Sequence, residues 1–327
     1  MPPTTKIITY SRNVFLPLTH VCNNACSYCS FKEPINSNCV MPKSDVIKTL
    51  NDGHRVGCTE ALFTFGERPD KVTGFKDYIT KIGYPNILAY CIDMCRVALD
   101  IGLLPHTNAG ILDYNELTDL RKVNASMGLM LETTAEVPAH KHSPGKKPEL
   151  RIEMIENAGK LKIPFTTGLL IGIGETEQDR VDSLEIISDL HKRYGHIQEV
   201  IIQNFLPKPG TEMSDHSVAS DKTIRDTILL AKQILQPDIS IQIPPNLLNA
   251  TDLLQIGVSD LGGISPITID YINPKHPWPS LDELRSITSG FHLHERLCVY
   301  PKYCNSNWID PNILPLVTKL SEKLELI

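Results

Sequence analysis

The chain reads as an α/β fold, a partial or complete TIM-like β/α barrel with a cysteine-bearing loop after its first strand. Short apolar runs of strand length alternate with longer amphipathic stretches six to eight times, which implies parallel βαβ units. Polar and Gly-rich residues cluster just after the apolar runs, where barrels carry their functional groups. No Gly/Ser-rich linker, no repeat of 20–50 residues and no low-complexity tract divides the chain, so one domain is expected.

Taken in order, strands are expected at residues 14–18, 61–65, 103–107, 128–131, 164–171 and 200–205. Two weaker ones follow at 239–243 and near 261–264. Helices are expected near 43–56, 85–101, 115–123, 150–160, 177–194, 221–235, 247–255 and 281–288. Ser44-Asp45 is placed to cap the first helix and Asp113 the third, and Gly102 to stop the second. The barrel is expected over 1–290, and 291–327 reads as a C-terminal extension packed on it. The polar clusters after the strands run from His20 to Cys29, then Gly66-Glu67-Arg68, His106-Thr107-Asn108, Glu132-Thr133-Thr134, Gly172 to Glu175 and Gln203-Asn204.

The 327 residues are 41% hydrophobic and 21% charged, an ordinary globular composition with enough chain for a sizeable core. A net charge of −6 argues against a general nucleic-acid binder. Residues 1–5 read as a short solvated lead-in. No charged-then-apolar start resembles an export signal, and no apolar run approaches the roughly 18 residues that span a bilayer. Nine cysteines are too sparse for a disulfide scaffold, and three crowded together suggest metal binding in a reducing compartment. A cytoplasmic protein, not bound to membrane, is the expectation.

Those three are Cys22, Cys26 and Cys29, spaced C-x3-C-x2-C at the end of the first apolar run. An iron–sulfur cubane normally takes four thiolates, one per iron. A loop with three would leave one iron open to a substrate or cofactor. A zinc site would want a second pair, and Cys298 and Cys304 are poorly spaced for one. A four-cysteine electron-transfer cluster would need Cys39 or Cys58 as the fourth ligand.

C-x3-C-x-aromatic-C after the first strand of a β/α barrel resembles the radical S-adenosylmethionine (SAM) superfamily. That resemblance implies a 4Fe-4S cluster on Cys22, Cys26 and Cys29, with SAM on the open iron and Tyr28 near the adenine. Phe65-Gly66-Glu67 is similar to the superfamily's Gly-Gly-Glu element, whose backbone carbonyls and nearby carboxylate accept from SAM's ammonium; Phe65 stands where the first glycine is usual. Glu132 is similar to its acidic residue on the ribose or amino group. Gly168-Leu169-Leu170-Ile171-Gly172-Ile173-Gly174-Glu175 resembles its G-x-I-x-G-x-x-E run along the adenine, with Leu170 for Ile. Arg151 is a candidate partner for SAM's carboxylate through its planar fork.

Further blocks narrow the resemblance. They are Ser30-Phe31, Phe65 to Pro69, Leu104 to Gly110, Ala139-His140-Lys141-His142-Ser143-Pro144-Gly145-Lys146, Asn204 to Thr211 and Asp260 to Pro266. Together they resemble the deazaflavin-forming branch of the superfamily, the CofG-type lyases, over about residues 8–304. That implies closure of the central deazaflavin ring on the product of a CofH subunit, with loss of ammonia. It also implies a low-potential electron donor and possible contact with CofH. Another radical SAM enzyme forming C–C or C–N bonds, CofH-like or of the menaquinone pathway, is the alternative. His20, His106, Asn108, Gln203 and Asn204, each at or after a strand end, are candidates for the ribityl and uracil groups. His140, Lys141 and His142 suggest a lid or proton relay. Cys91 and Cys95, one helical turn apart, read as small buried residues.

Overall fold

The computed structural model describes residues 6–325; the lead-in at 1–5 and the last two residues of the extension lie outside the described residues. The elements run β1 (Ile7–Thr19), α1 (Lys43–Arg55), β2 (Glu60–Phe65), α2 (Phe75–Lys81), α3 (Ile87–Ile101), β3 (Leu104–Asn108), α4 (Tyr114–Arg121) and β4 (Ser126–Gly128). They continue with α5 (Pro148–Lys160), β5 (Phe165–Ile171), α6 (Glu177–Tyr194), β6 (Ile197–Asn204), α7 (Asp221–Ile234), β7 (Ser240–Gln242), α8 (Ala250–Leu254) and β8 (Asp260–Ile264). Last come α9 (Leu281–Ile287), β9 (His292–Glu295) and α10 (Leu314–Glu325).

Strands β2 to β8 pair in sequence order, and β1 joins β8 to β2, so eight parallel strands close into a barrel. Closure removes the sheet edges, and the helices cover the outside. All eight expected strands are present, and β1 is longer than its apolar run. Its second half pairs with β2 from Asn13 to Thr19, while Ile7–Tyr10 pair with β9. The alternating polar residues Thr9, Ser11 and Asn13 hid that first half from an apolar search.

Helix ends follow local chemistry. Asp113 and Thr176 each close a capping box, and Gly102 ends α3 at φ 100°. Neither Ser44 nor Asp45 caps α1; Pro42 holds that position, and Asp45 lies in the first turn, where a carboxylate suits the helix dipole. The strand expected at 128–131 is β4, shifted to Ser126–Gly128. Beyond it the chain follows β5 irregularly, with Glu132 in the left-handed region at φ 69°.

From Arg296 onward the chain passes beneath the barrel. Leu297, Cys298, Val299, Tyr303, Ile309, Ile313 and Val317 form a second buried cluster with Leu104 and Ala125. This segment closes the end of the barrel where the strands begin. Among the described residues no helix is long and apolar enough to cross a membrane.

Candidate active site

At the opposite end, the cysteine loop follows β1 directly and is clamped from three sides. Gly66 N–H donates to Thr19 O (2.9 Å) and Asn23 N–H to Glu67 O (2.9 Å), so the β2 turn grips the start of the loop. A Cβ on Gly66 would come 2.1 Å from Val21 O, which is why this turn takes glycine. The segment 139–145 grips its middle: Ala25 N–H donates to His142 O (3.1 Å), Ser27 N–H to Ala139 O (3.0 Å) and Gly145 N–H to Asn24 Oδ1 (2.9 Å). Met213 N–H donates to Ser27 O (3.1 Å) from the third side. Two sulfurs also accept protein donors, Cys22 Sγ from Glu67 N–H (3.2 Å) and Cys26 Sγ from Ser143 Oγ–H (3.1 Å). Burial raises both thiols above the ordinary range.

Beside the loop runs a buried chain of alternating charges. Arg151 pairs with Glu67 (3.2 Å) and lies 3.8 Å from Glu132, which pairs with Lys146. Arg151 also donates to Met130 O (2.6 Å) and Gly145 O (2.8 Å). Burial would raise Glu132, but Lys146 and Arg151 outweigh it and hold its carboxyl below the usual range. The Glu67 carboxylate also accepts from Ile111 N–H (3.2 Å), and a Cβ on Gly145 would overlap it at 1.3 Å. Its side chain is therefore packed inward, and the Gly66-Glu67 backbone faces the loop. Phe65 turns its ring into the helix layer beside Ile87, Ile111 and Leu112.

Tyr28 packs with a small apolar cluster of Val137, Ala139, Leu170, Ile173, Phe205 and Met213, separate from the main core. Its hydroxyl lies 3.0 Å from His140 Nε2. Gly172, at φ 99°, and Ile173 donate their N–H groups to the Glu175 carboxylate, which Arg180 holds at 3.1 Å. Glu175 thus shapes the turn that presents Ile173.

Below the mouth the lumen contains a cavity of about 200 Å³ lined by His106, Asn108 and Gln203, among others. His106 Nδ1 lies 2.7 Å from Ser126 Oγ, whose single proton goes to Cys298 O (2.8 Å). Nδ1 therefore carries the ring proton, and Nε2 is an acceptor beside Gly128. Burial, with Arg296 nearby, lowers His106 to about 3, so the ring is neutral. His20 and Asn204, expected with this group, are turned elsewhere. His20 Nδ1 meets Phe31 O (2.9 Å) and its ring packs on Phe31 and Tyr271. Asn204 follows Gln203 on β6, so strand alternation points it out of the lumen, toward Leu247 O (3.5 Å).

The pattern of the radical SAM superfamily matches residues 16–187. The chain is 58% identical to a 7,8-didemethyl-8-hydroxy-5-deazariboflavin synthase of Methanoculleus marisnigri, over 98% of this chain and 96% of that one. It is 52% identical to the synthase of Methanosarcina barkeri, over 96% and 98%. It belongs to the deazariboflavin synthase family of radical SAM enzymes. Solved structures of methylornithine synthase (TM-score 0.66, 17% identity, 88% of this chain and 83% of that) and of the FeFe-hydrogenase maturase HydG from Carboxydothermus hydrogenoformans (0.69, 19%, 88% and 68%) share its fold.

A radical SAM enzyme implies a 4Fe-4S cluster and SAM, and the residues present fit them. The three loop cysteines are free and partly exposed, and Cys22 and Cys26 are supplied with N–H and O–H donors, which tune cluster sulfurs. Cys39 lies beside Thr19, Met41 and Tyr271 in a recess that none of the three thiols lines. Cys58 donates to Asn13 O (3.3 Å) before β2, at the opposite end of the barrel. Cys298 and Cys304 form no pair: Cys298 lies under Leu104 O (3.9 Å), Cys304 against Tyr300 O (3.5 Å). Cys91 and Cys95 are fully buried against Thr107.

Sequence reading missed Asn24, Ser143 and the pairing of Lys146. The block from Ala139 to Lys146 was the available signal, but His140, Lys141 and His142 within it read as a lid or proton relay. In the fold its backbone is a clamp, and Lys146 balances Glu132.

Proposed function

We propose that this chain closes the central ring of 7,8-didemethyl-8-hydroxy-5-deazariboflavin. Its substrate is the adduct that CofH forms, 5-amino-5-(4-hydroxybenzyl)-6-(D-ribitylimino)-5,6-dihydrouracil. Ammonia is released, and SAM is consumed to methionine and 5′-deoxyadenosine. The observation that carries the reading is 58% identity across 98% of the chain to a synthase of that name. The three-thiol loop over a polar lumen supports it.

Cys22, Cys26 and Cys29 would hold the cluster and leave one iron for SAM. When bound, the pair supplies one-electron chemistry that removes an unactivated hydrogen, beyond the reach of side-chain acids and bases. The Gly66-Glu67 backbone would receive SAM's ammonium, and Lys146 and Arg151, balanced by Glu132, its carboxylate. Tyr28 and Ile173 would flank the adenine, with the Gly172 backbone at its edge. His106, Asn108 and Gln203 would face the substrate, His106 accepting one of its N–H or O–H groups at Nε2. The enclosed lumen keeps water and stray hydrogen donors from the reacting carbon. A low-potential electron donor, possible contact with CofH and a cytoplasmic setting complete the reading.

The test is anaerobic reconstitution with iron, sulfide, reductant, SAM and the CofH adduct. A fluorescent deazaflavin formed with 5′-deoxyadenosine is expected. Neither product, with the cluster intact by its electron paramagnetic resonance spectrum, overturns the reading.

A further inference from the structure

The Asp260-Leu261-Gly262-Gly263 block has no part in the chemistry at the mouth, yet two glycines in succession within β8 weaken a strand. Their neighbours explain them. A Cβ on Gly263 would stand 2.3 Å from Asn13 Nδ2, and one on Gly262 2.2 Å from Gln242 Nε2. The glycines make room for two carboxamides that enter the lower lumen from β1 and β7.

Both carboxamides are buried, Asn13 at 1% and Gln242 at 8% exposure. Asn13 Oδ1 has no hydrogen-bond partner among the described residues, and Gln242 lines the same cavity. An unpaired buried amide costs about 1–3 kcal/mol, so such groups in a cavity wall point to a ligand that completes them. Below them Glu60 accepts from Ser11 Oγ–H (2.7 Å).

We propose that the lower lumen, walled by Asn13 and Gln242 over Glu60, is a subsite for the neutral polyhydroxy chain of the substrate. The assignment rests on the ring-closing function above and adds the direction in which the substrate enters. A carboxamide presents a donor and an acceptor in one plane, which suits hydroxyls that also do both. An apolar group there would leave the Asn13 carboxamide unpaired. An anionic chain is disfavoured, because Glu60, Glu199 and Asp270 line the cavity and its one cation among the described lining residues, Arg296, is already paired with Asp260 and Glu199. Burial lifts Glu60 to about 7, so near neutrality it can also donate. From Ser11 to Phe15 the wall rises roughly 13 Å, at about 3.3 Å per residue, room for an extended chain below and a ring above. The ring then lies toward Asn108, Gln203 and the mouth.

The experiment compares the ribityl adduct with an analogue carrying methyl in its place, in wild type, Asn13→Ala, Gln242→Ala and Gly263→Ala. Turnover with SAM is measured in the reconstituted enzyme, and binding of each compound by calorimetry. Wild type should prefer the ribityl compound by about 100-fold or more, as a site built to bond hydroxyls does. Each variant should cut that preference about tenfold or more, the loss expected when a buried partner is left unmade. Gly263→Ala reads the same contact through its added methyl if Asn13→Ala does not fold. Preferences equal to wild type in folded variants mean the lower lumen holds only water, and they overturn the proposal. If wild type forms no deazaflavin, the ring-closing reading fails, and the calorimetric preference alone then decides the subsite.

Discussion

The two ends of the barrel solve opposite problems with the same eight strands. At the mouth, loops hold three thiols with backbone N–H groups, a serine hydroxyl and closely approaching glycines, and the thiols remain unpaired. At the floor, the charges around Arg296 are paired. Arg296 donates to Asp260 (2.6 and 2.8 Å), Glu199 (2.7 Å) and Leu297 O (2.9 Å), with Tyr300 stacked on its guanidinium and bonded to both carboxylates. Thr9 Oγ1–H completes Asp260. Valences left free mark where something is to be bound; the satisfied network around Arg296 marks the seal beneath the lumen. Chemistry and stability should therefore separate on mutation.

The largest separation is expected for Cys26→Ala. It should abolish iron binding and deazaflavin formation, measured by iron content and product fluorescence. Unfolding of the iron-free protein should shift by less than about 1 kcal/mol, since the thiol packs into no core. A large loss of iron-free stability would break the comparison. Next comes Arg296→Met, which strands Asp260 and Glu199 in the interior. It should cost about 3–5 kcal/mol in denaturant unfolding, while the folded fraction still reconstitutes its cluster. Loss of the cluster with stability intact would contradict the assignment of the floor.

The smallest effect is in pH. Burial lowers His106 and His196 to about 3, from an ordinary 6.5. As pH falls below 6.5 the unfolded chain takes up protons that the folded chain refuses, so their contribution is full above 6.5 and drains toward 3. Glu60, lifted to about 7 from 4.5, works oppositely: its contribution is full below 4.5 and is lost as pH rises through about 7. Stability should thus fall gently from pH 6.5 to 4.5 and more steeply below. Glu60→Gln removes the opposing group and should steepen the upper part; an unchanged slope there refutes the balance.

Much of this was legible in the chain. Apolar runs such as those of β5 and β6 are buried on both faces, so composition alone marks them, and capping residues such as Asp113 mark helix starts. The cysteine spacing placed the loop after the first strand, where the fold has it. The first half of β1 escaped because Ser11 and Asn13 face a polar lumen rather than an apolar core. His20 and Asn204, expected at the mouth, turn away from the lumen: a strand end shows which residues are near the mouth but not which way each turns. One residue of register separates Gln203, inside, from Asn204, outside.

The sequence by itself determined the alternation of strands and helices, the three-thiol loop and, through its resemblance to known enzymes, the reaction. Those features are local: spacing, periodicity and caps act within a few residues. Only the tertiary structure decided that Arg151 joins Glu67 to Glu132, that Ser143 supports Cys26, and that Gly262 and Gly263 open the lumen for Gln242 and Asn13. Those pairings join residues dozens to hundreds apart, and only closing the barrel brings them within bonding distance.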